Sequence, residues 1–193
     1  MSVPGGGSDA PKLIVLSGSL GSGKTTAAKL LAASFERGTH IESDLFYTFF
    51  SHPIAPHLPA AAAQNRAAIV AAVQAARSLC ASGYDVVLEG IFGPWFLPAI
   101  CGELVAADVD LRYVILRTTL EAARSRVRQR GDTTMDEVVS AMHLQFESLG
   151  VWESYVLDTT QLAPEAVVAA LKVALAEGRY VLRPQQVLCV PAG

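Results

Sequence analysis

Gly18 to Thr25, GSLGSGKT, matches the spacing G-x-x-x-x-G-K-[ST] at every constrained position. A phosphate chain carries several negative charges at close quarters, and a glycine-rich turn can aim consecutive backbone N–H groups into one concavity that receives it. Gly18, Gly21 and Gly23 supply the turn, and Ser19, Leu20, Ser22 and Thr26 complete the stretch expected to line a bound nucleotide's phosphates. Lys24 is placed to reach the β- and γ-phosphate oxygens of ATP, and the Thr25 hydroxyl to act as a ligand of Mg²⁺. A chance glycine-rich turn would not need the Lys-Thr pair, nor a strand before it and a helix after it.

Other residues could take part in phosphate chemistry. Asp44 follows a short extended stretch, and Glu89 ends an apolar run where a carboxylate without a partner is costly to bury. The first could orient and deprotonate an attacking hydroxyl, or cap a helix beginning near Leu45; the second could help hold Mg²⁺. Arg124, Arg126, Arg128 and Arg130 follow one another at alternate positions with no acid until Asp132. On a helix, Arg124 and Arg128 share one face and Arg126 and Arg130 another, so only one pair turns inward. Arg124 and Arg128 are the expected pair. His40, His52, His57 and His143 lack metal-ligand spacing and read as structural, with His57 a candidate on the substrate side.

These residues need a frame. Lys12 to Ser17 reads as a buried strand, and Thr25 to Phe35 as a helix whose N-terminus favours an anion. Gly38 to Ser43, Tyr84 to Gly90, Leu111 to Leu116 and Tyr155 to Leu157 read as four further strands. Helices are expected over Ala60 to Ser82, from about Thr119, over Met135 to Ser148, and from Pro164 to a stop at Gly178. Proline spacing predicts irregular chain over Leu45 to Pro59 and keeps Ile91 to Ile100 short of helix. Val187 to Val190 is a candidate edge strand. Alternating strands and helices predict an α/β protein of three layers, α/β/α, with a five-stranded parallel sheet and its ligands at the carboxyl ends of the strands. The phosphate loop, Asp44, Glu89 with Phe92 and Trp95, Arg117 and Asp158 then share one rim. Trp95 and Phe96 are expected in the core.

The chain has 193 residues, 51% hydrophobic and 17% charged, enough for one well-buried core. Residues 1–11 read as a loose tail and 12–193 as a single domain with a lid at about 117–134. A net charge of −3 argues against a nucleic-acid partner, and the absence of a long apolar span against a membrane one. A cytoplasmic monomer or homodimer is expected. Cys80, Cys101 and Cys189 suggest neither disulfide nor metal knuckle and are expected to be inert core thiols.

In its order of parts the chain resembles the small P-loop kinases, the group of chloramphenicol phosphotransferase, gluconate kinase and shikimate kinase. Those parts are the P-loop, an acid after the second strand, an acid ending the third, an arginine-bearing helix as lid, and a strand closing in Asp158-Thr159-Thr160. The likeness spans roughly Lys12 to Ala176 and implies the P-loop nucleoside triphosphate hydrolase fold with a short helical lid. It implies that Asp44 approaches an acceptor hydroxyl, that Glu89 helps hold Mg²⁺ through water, and that lid arginines clamp the transferring phosphoryl. Glu89 stands where Asp is commoner in that group. The function implied is an ATP-dependent kinase acting on a hydroxyl of a small molecule. A nucleoside monophosphate kinase would need bases in the acceptor pocket, and none lies between Ile41 and Pro59, with only Arg66 and Arg77 near in sequence. A regulatory ATPase, whose attacking group is water, is the third alternative.

Overall fold

The computed structural model describes residues 10–129, 131 and 136–189. Its centre is β1 (Lys12–Gly18), an apolar run buried on both faces, with β3 (Asp85–Glu89) on one side and β4 (Asp110–Arg117) on the other. β2 (Gly38–Glu42) extends the sheet beyond β3, and β5 (Val156–Asp158) extends it beyond β4, giving the order β2-β3-β1-β4-β5 with all neighbours parallel. Near-continuous hydrophobic strands suit a parallel sheet covered on both faces.

The period-two alternation of β1 splits its side chains between two cores. Leu13 and Val15 meet the Ala-rich face of α2 (Ala62–Ala81), including Ile69 and Val73, and Ile100 and Leu104 of α3 (Leu97–Leu104). Ile14 and Leu16 face the other way, against Ala28 and Leu31 of α1 (Lys24–Ala33) and Val168 and Leu171 of α6 (Pro164–Ala176). Two further helices, α4 (Leu120–Gln129) and α5 (Asp136–Gln145), lie between β4 and β5 in sequence, and α4 carries a small core of its own in Ala123 and Val127, packed with Val139 of α5. The expected three layers and five parallel strands are therefore present. No helix among the described residues is long and apolar enough to cross a membrane.

Four expectations give way. Pro94 opens a 3₁₀ turn, Pro94–Phe96, and Pro98 lies in the first turn of α3, so both prolines sit where a missing N–H costs no helical bond. The stretch after β2 begins as a 3₁₀ segment, Ser43–Phe49, before it becomes irregular. Val187 belongs to α7 (Pro184–Leu188), while Val190 lies outside the described residues. The sheet edge is covered instead by residues 180–182: Tyr113 N–H donates to the Tyr180 carbonyl and Leu182 N–H to the Leu111 carbonyl, antiparallel to β4 where β5 does not reach. Cys80 and Cys101 are buried, their thiol pKa values pushed up to about 11 and about 12, by burial first in both cases, whereas Cys189 is exposed rather than in the core. Much of the amino-terminal tail, Arg130 and the Asp132 to Met135 part of the expected lid fall outside the described residues.

Between the carboxyl ends of the strands and α5 the chain is pinned by side chains. Phe146 is 1% exposed and its ring meets Trp95 edge to face at 5.6 Å. Its carbonyl accepts from Arg117 Nε, while the rest of that guanidinium makes a two-bond pair with Glu153 at 2.8 Å. Phe146→Ala should therefore cost about 3–5 kcal/mol, seen as a lower urea midpoint at unchanged slope. An unmoved midpoint would mean that this ring is not packed as described.

Candidate functional site

The phosphate loop leaves the end of β1 and enters α1 at Lys24, as strand–loop–helix anion binding requires. Gly18 and Gly21 admit no side chain. A Cβ on Gly18 would stand 2.3 Å from the Leu116 carbonyl oxygen of β4, and one on Gly21 would stand 2.4 Å from the Ala123 carbonyl oxygen of α4, with φ at +144° and +75°. The loop is thus sandwiched between the sheet and the lid helix. Lys24 is only 8% exposed and donates from Nζ to the Ser19 carbonyl at 2.9 Å. The Ser22 hydroxyl is buried and makes no hydrogen bond, which leaves polar capacity inside the loop for a ligand such as a phosphate.

Two acids stand near this loop. Glu89, at the end of β3, is 3% exposed. Burial pushes its carboxyl pKa up, but the neighbouring His40 and Thr25 side chains and the charge of Lys24 outweigh it and leave the value below the ordinary one. The His40 contact is an ion pair in geometry, with Nε2 at 3.8 Å from Oε1, beyond hydrogen-bond reach. The sequence had given His40 a structural part only. A Thr25 hydroxyl beside an ionised carboxylate suits Mg²⁺, which keeps several waters and takes one or two protein oxygens alongside substrate phosphates. No group of three or more His, Cys, Asp or Glu able to hold a metal occurs among the described residues. A cation here would draw most of its ligands from phosphate and water.

Asp44 lies in the first turn of the 3₁₀ segment after β2, with Glu42 at the N-cap position and no side-chain cap bond, so it is not a helix cap. Its side chain is open to solvent at the mouth of a cavity, yet the mass of protein behind it raises its pKa, with Glu89 and Glu42 adding to the rise and Lys24 opposing it. That cavity, of about 580 Å³, runs from Asp44 to α5. Much of its lining is apolar and aromatic, with Ile69, Phe92, Trp95, Phe96 and Met142. Trp95 is 48% exposed there, so it and Phe96 are pocket residues as well as packing ones. The irregular wall between residues 50 and 58 is held by the start of α2. Gln64 exchanges two hydrogen bonds with the backbone of Ile54, at 2.8 and 2.7 Å, and Asn65 Nδ2 donates to the Pro56 carbonyl at 2.8 Å. His57 lines the same cavity.

The lid arginines are arranged the other way round from the expected one. Arg124 donates to Ser140 Oγ and Arg128 pairs with Asp136, both on α5, whereas Arg126 reaches the Gly21 carbonyl at 3.3 Å and the Thr159 carbonyl at 3.4 Å. The reason is the buried stripe of α4: Ala123 and Val127 face inward, and Arg126 flanks that stripe on the side of the loop. Arg126 and Thr159 border a second cavity, of about 280 Å³, behind Ser22 and Gly23. Thr159 donates from its hydroxyl to the Arg117 carbonyl and so ties the end of β5 to that of β4. The α5 wall of the larger cavity, with Glu137 and Gln145, escaped the sequence reading, although residues 137, 141 and 145 repeat at a helical interval.

Residues 14–145 match the model of a family described as AAA domain. No curated protein matches by sequence. Among solved structures, the chain is similar to a sugar kinase from Janibacter sp. HTCC2649, at 17% identity over 86% of this chain and 95% of that one, with a TM-score of 0.65. It is also similar to a gluconokinase from Sinorhizobium meliloti 1021, at 17% identity over 88% of this chain and 98% of that one, with a TM-score of 0.61. A shikimate kinase from Acinetobacter baumannii, in complex with shikimate, aligns at 16% identity over 87% of this chain and 94% of that one, with a TM-score of 0.61. The fold is that of the P-loop kinases.

The raised pKa of Asp44 has a consequence for stability. Its ionisation is harder in the folded chain than in the unfolded one, so the penalty is absent below the unfolded pKa and grows as pH rises through the folded one. Asp44→Asn should melt higher than the wild type at neutral pH, and the difference should vanish in acid. Melting curves across that range check this, and a variant less stable at neutral pH would contradict it.

Proposed function

The chain belongs to the AAA domain family, and on that premise we propose that it is an ATP-dependent phosphotransferase that moves the γ-phosphoryl group of ATP to a hydroxyl of a small molecule. One observation carries the reading: Asp44 stands at the mouth of a ligand-sized cavity and within electrostatic reach of Lys24, so an acceptor in the cavity would meet the phosphate loop beside a carboxylate. Small-molecule sites are commonly about 300–1,000 Å³ and largely apolar, and this one is of that kind. The sugar kinase, gluconokinase and shikimate kinase that share the fold are in keeping with it.

The steps assigned to the protein are few. Backbone N–H groups of the loop and Lys24 bind the phosphates, and Arg126, at the loop and on the border of the second cavity, lies where it can balance charge on the phosphate chain. The second cavity, beside Thr159, has room for the nucleoside end of ATP. Asp44 orients the acceptor hydroxyl and takes its proton as the new oxygen–phosphorus bond forms and the bond to ADP breaks. Thr25 and Glu89 would hold Mg²⁺, which when bound neutralises charge on the β- and γ-oxygens. The cavity has no Lys or Arg among its described lining residues, which counts against a nucleoside monophosphate as acceptor.

Lys24→Ala should weaken Mg-ATP binding and abolish transfer, and unchanged ATP affinity by calorimetry with full turnover would remove the basis of the reading. Asp44→Asn should leave ATP binding nearly intact and lower transfer on the order of 10²–10⁴-fold, the range for a lost general base. Turnover that is indifferent to every hydroxyl compound offered, with water as the only acceptor, would instead mark an ATPase. Among the lid arginines, Arg126→Lys should lower kcat more than Arg128→Lys, because a planar fork at the loop is replaced by a point charge. Equal losses at both would point to a diffuse electrostatic role.

A further inference from the structure

We infer that the acceptor is a hydroxyl compound with an aromatic or otherwise apolar body and no negative charge, and that an amino group on it is favoured; this rests on the reading of the larger cavity as the acceptor site. Three independent features of that cavity converge on this class.

The first is charge. Asp44 and Glu137 both line the cavity, and among its described lining residues there is no Lys or Arg. Glu137 forms no ion pair with a described residue. An anionic acceptor would bring its carboxylate or phosphate into a half-enclosed space with two acids and no fixed cation, where like charges repel and water screens them less than in bulk. The arginines that could have served are engaged elsewhere: Arg124 with Ser140, Arg128 with Asp136, Arg117 with Glu153.

The second is hydrogen-bond polarity. Asn65 gives its amide N–H to the Pro56 carbonyl and leaves Oδ1 buried without a partner. Asp44 and Glu137 line the cavity with carboxylate oxygens, which only accept, so it suits a ligand with N–H or O–H donors. Tyr47 remains a neutral phenol, its pKa pushed up to about 12 by burial and by Asp44, so the cavity gains no further charge there.

The third is shape. Phe92, Trp95, Phe96 and Met142 all line the cavity, a setting that rewards an apolar body. A small, fully hydroxylated sugar acid would leave that surface unfilled.

The transfer balances without a further reagent. The acceptor oxygen forms a bond to the γ-phosphorus of ATP, the bond from that phosphorus to the β–γ bridging oxygen breaks, ADP leaves, and the hydroxyl proton passes to Asp44 and then to solvent.

The test uses the full chain and three probes that share one benzyl arm and one hydroxyl: phenylalaninol, which is cationic, N-acetylphenylalaninol, which is neutral, and 3-phenyllactate, which is anionic. Binding is measured by calorimetry without nucleotide, so the result stands whether or not transfer occurs. The expected order is phenylalaninol, then N-acetylphenylalaninol, with 3-phenyllactate at least about tenfold weaker than the first, a single like-charge contact being enough for such a ratio. Glu137→Gln should weaken phenylalaninol about threefold and Glu137→Lys about tenfold, as expected for one partly exposed charge contact, while Glu137→Lys improves 3-phenyllactate. Binding of 3-phenyllactate as tight as that of phenylalaninol, no binding of any probe, or a charge preference unmoved by Glu137→Lys would each overturn the inference. Unchanged ATP affinity and full turnover in Lys24→Ala, by contrast, would overturn the kinase reading and leave these affinities as measured.

Discussion

The phosphate loop is clamped between two backbones that leave no room for a side chain. The Leu116 carbonyl presses on Gly18 from the sheet and the Ala123 carbonyl presses on Gly21 from the lid helix, each well inside the distance a Cβ would need. Glycine is therefore required here for two reasons at once. It permits the left-handed turn that aims N–H groups inward, and it lets α4 settle directly on the loop. The position of the lid then follows from packing. Ala123 and Val127 must face the loop and α5, so the residue that flanks their stripe, Arg126, is delivered to the Gly21 carbonyl, and the arginines on the far flank are left to hold α5. An anion site and its lid are in this sense one packing problem.

The larger cavity is held differently. No strand or long helix spans residues 50–58, and side chains supply what regular pairing would have given: Gln64 satisfies both backbone groups of Ile54, and Asn65 fixes Pro56. On the opposite wall Arg117 ties the end of β4 to the Phe146 carbonyl and to Glu153, and Glu153 in turn accepts from Leu149 N–H. Those bonds hold the Glu153 carboxyl down at about 2, with the Arg117 hydrogen bond the largest cause. Arg117 thus braces the helix that closes the cavity, although its place at a strand end on the rim had made it a candidate for the site. A cavity whose walls hang on a few side-chain bonds can change its shape with few substitutions while the nucleotide side stays fixed.

How much of this was legible in the sequence depended on how local the cause was. The phosphate loop, the five strands and the helices α1, α2, α4, α5 and α6 are each written in a contiguous pattern, an apolar run or a helical repeat stopped by Gly, Pro or Asp, and those patterns predicted them. The prolines at 94 and 98 mislead because proline reads as a breaker until its place in the first turn of a helix is known. The lid arginines mislead for a related reason. Pairing them by i,i+4 spacing identifies two faces but not which one is buried, and that choice belongs to Ala123 and Val127, which become a buried stripe only when Gly21 and Val139 are in place. Of the site, Asp44 and Glu89 were legible as strand-end acids. Asn65, Glu137 and the Thr159 tie were not, because nothing local distinguishes them from surface residues until α2, α5 and β5 are brought to the same rim.

The two halves of the rim differ in electrostatic character, and Asp44 stands at the boundary. Its carboxyl is raised by burial, by Glu89 and by Glu42, and only Lys24 pulls it the other way. Any polyphosphate that occupies the loop engages Lys24 and brings negative charge of its own, so the one opposing influence is balanced and a new raising one is added. A carboxylate becomes a better proton acceptor as its pKa climbs toward the ambient pH. A polyphosphate in the loop without its cation would therefore raise the basicity of the group that faces the larger cavity. By the same coupling, an acceptor that carried its own anion would push Asp44 further and oppose the nucleotide across the rim, whereas a neutral or cationic one leaves the phosphates undisturbed. The absence of Lys and Arg among the described residues of the cavity and the presence of Lys24 and Arg126 at the loop are then two sides of a single arrangement, in which fixed positive charge is confined to the loop half.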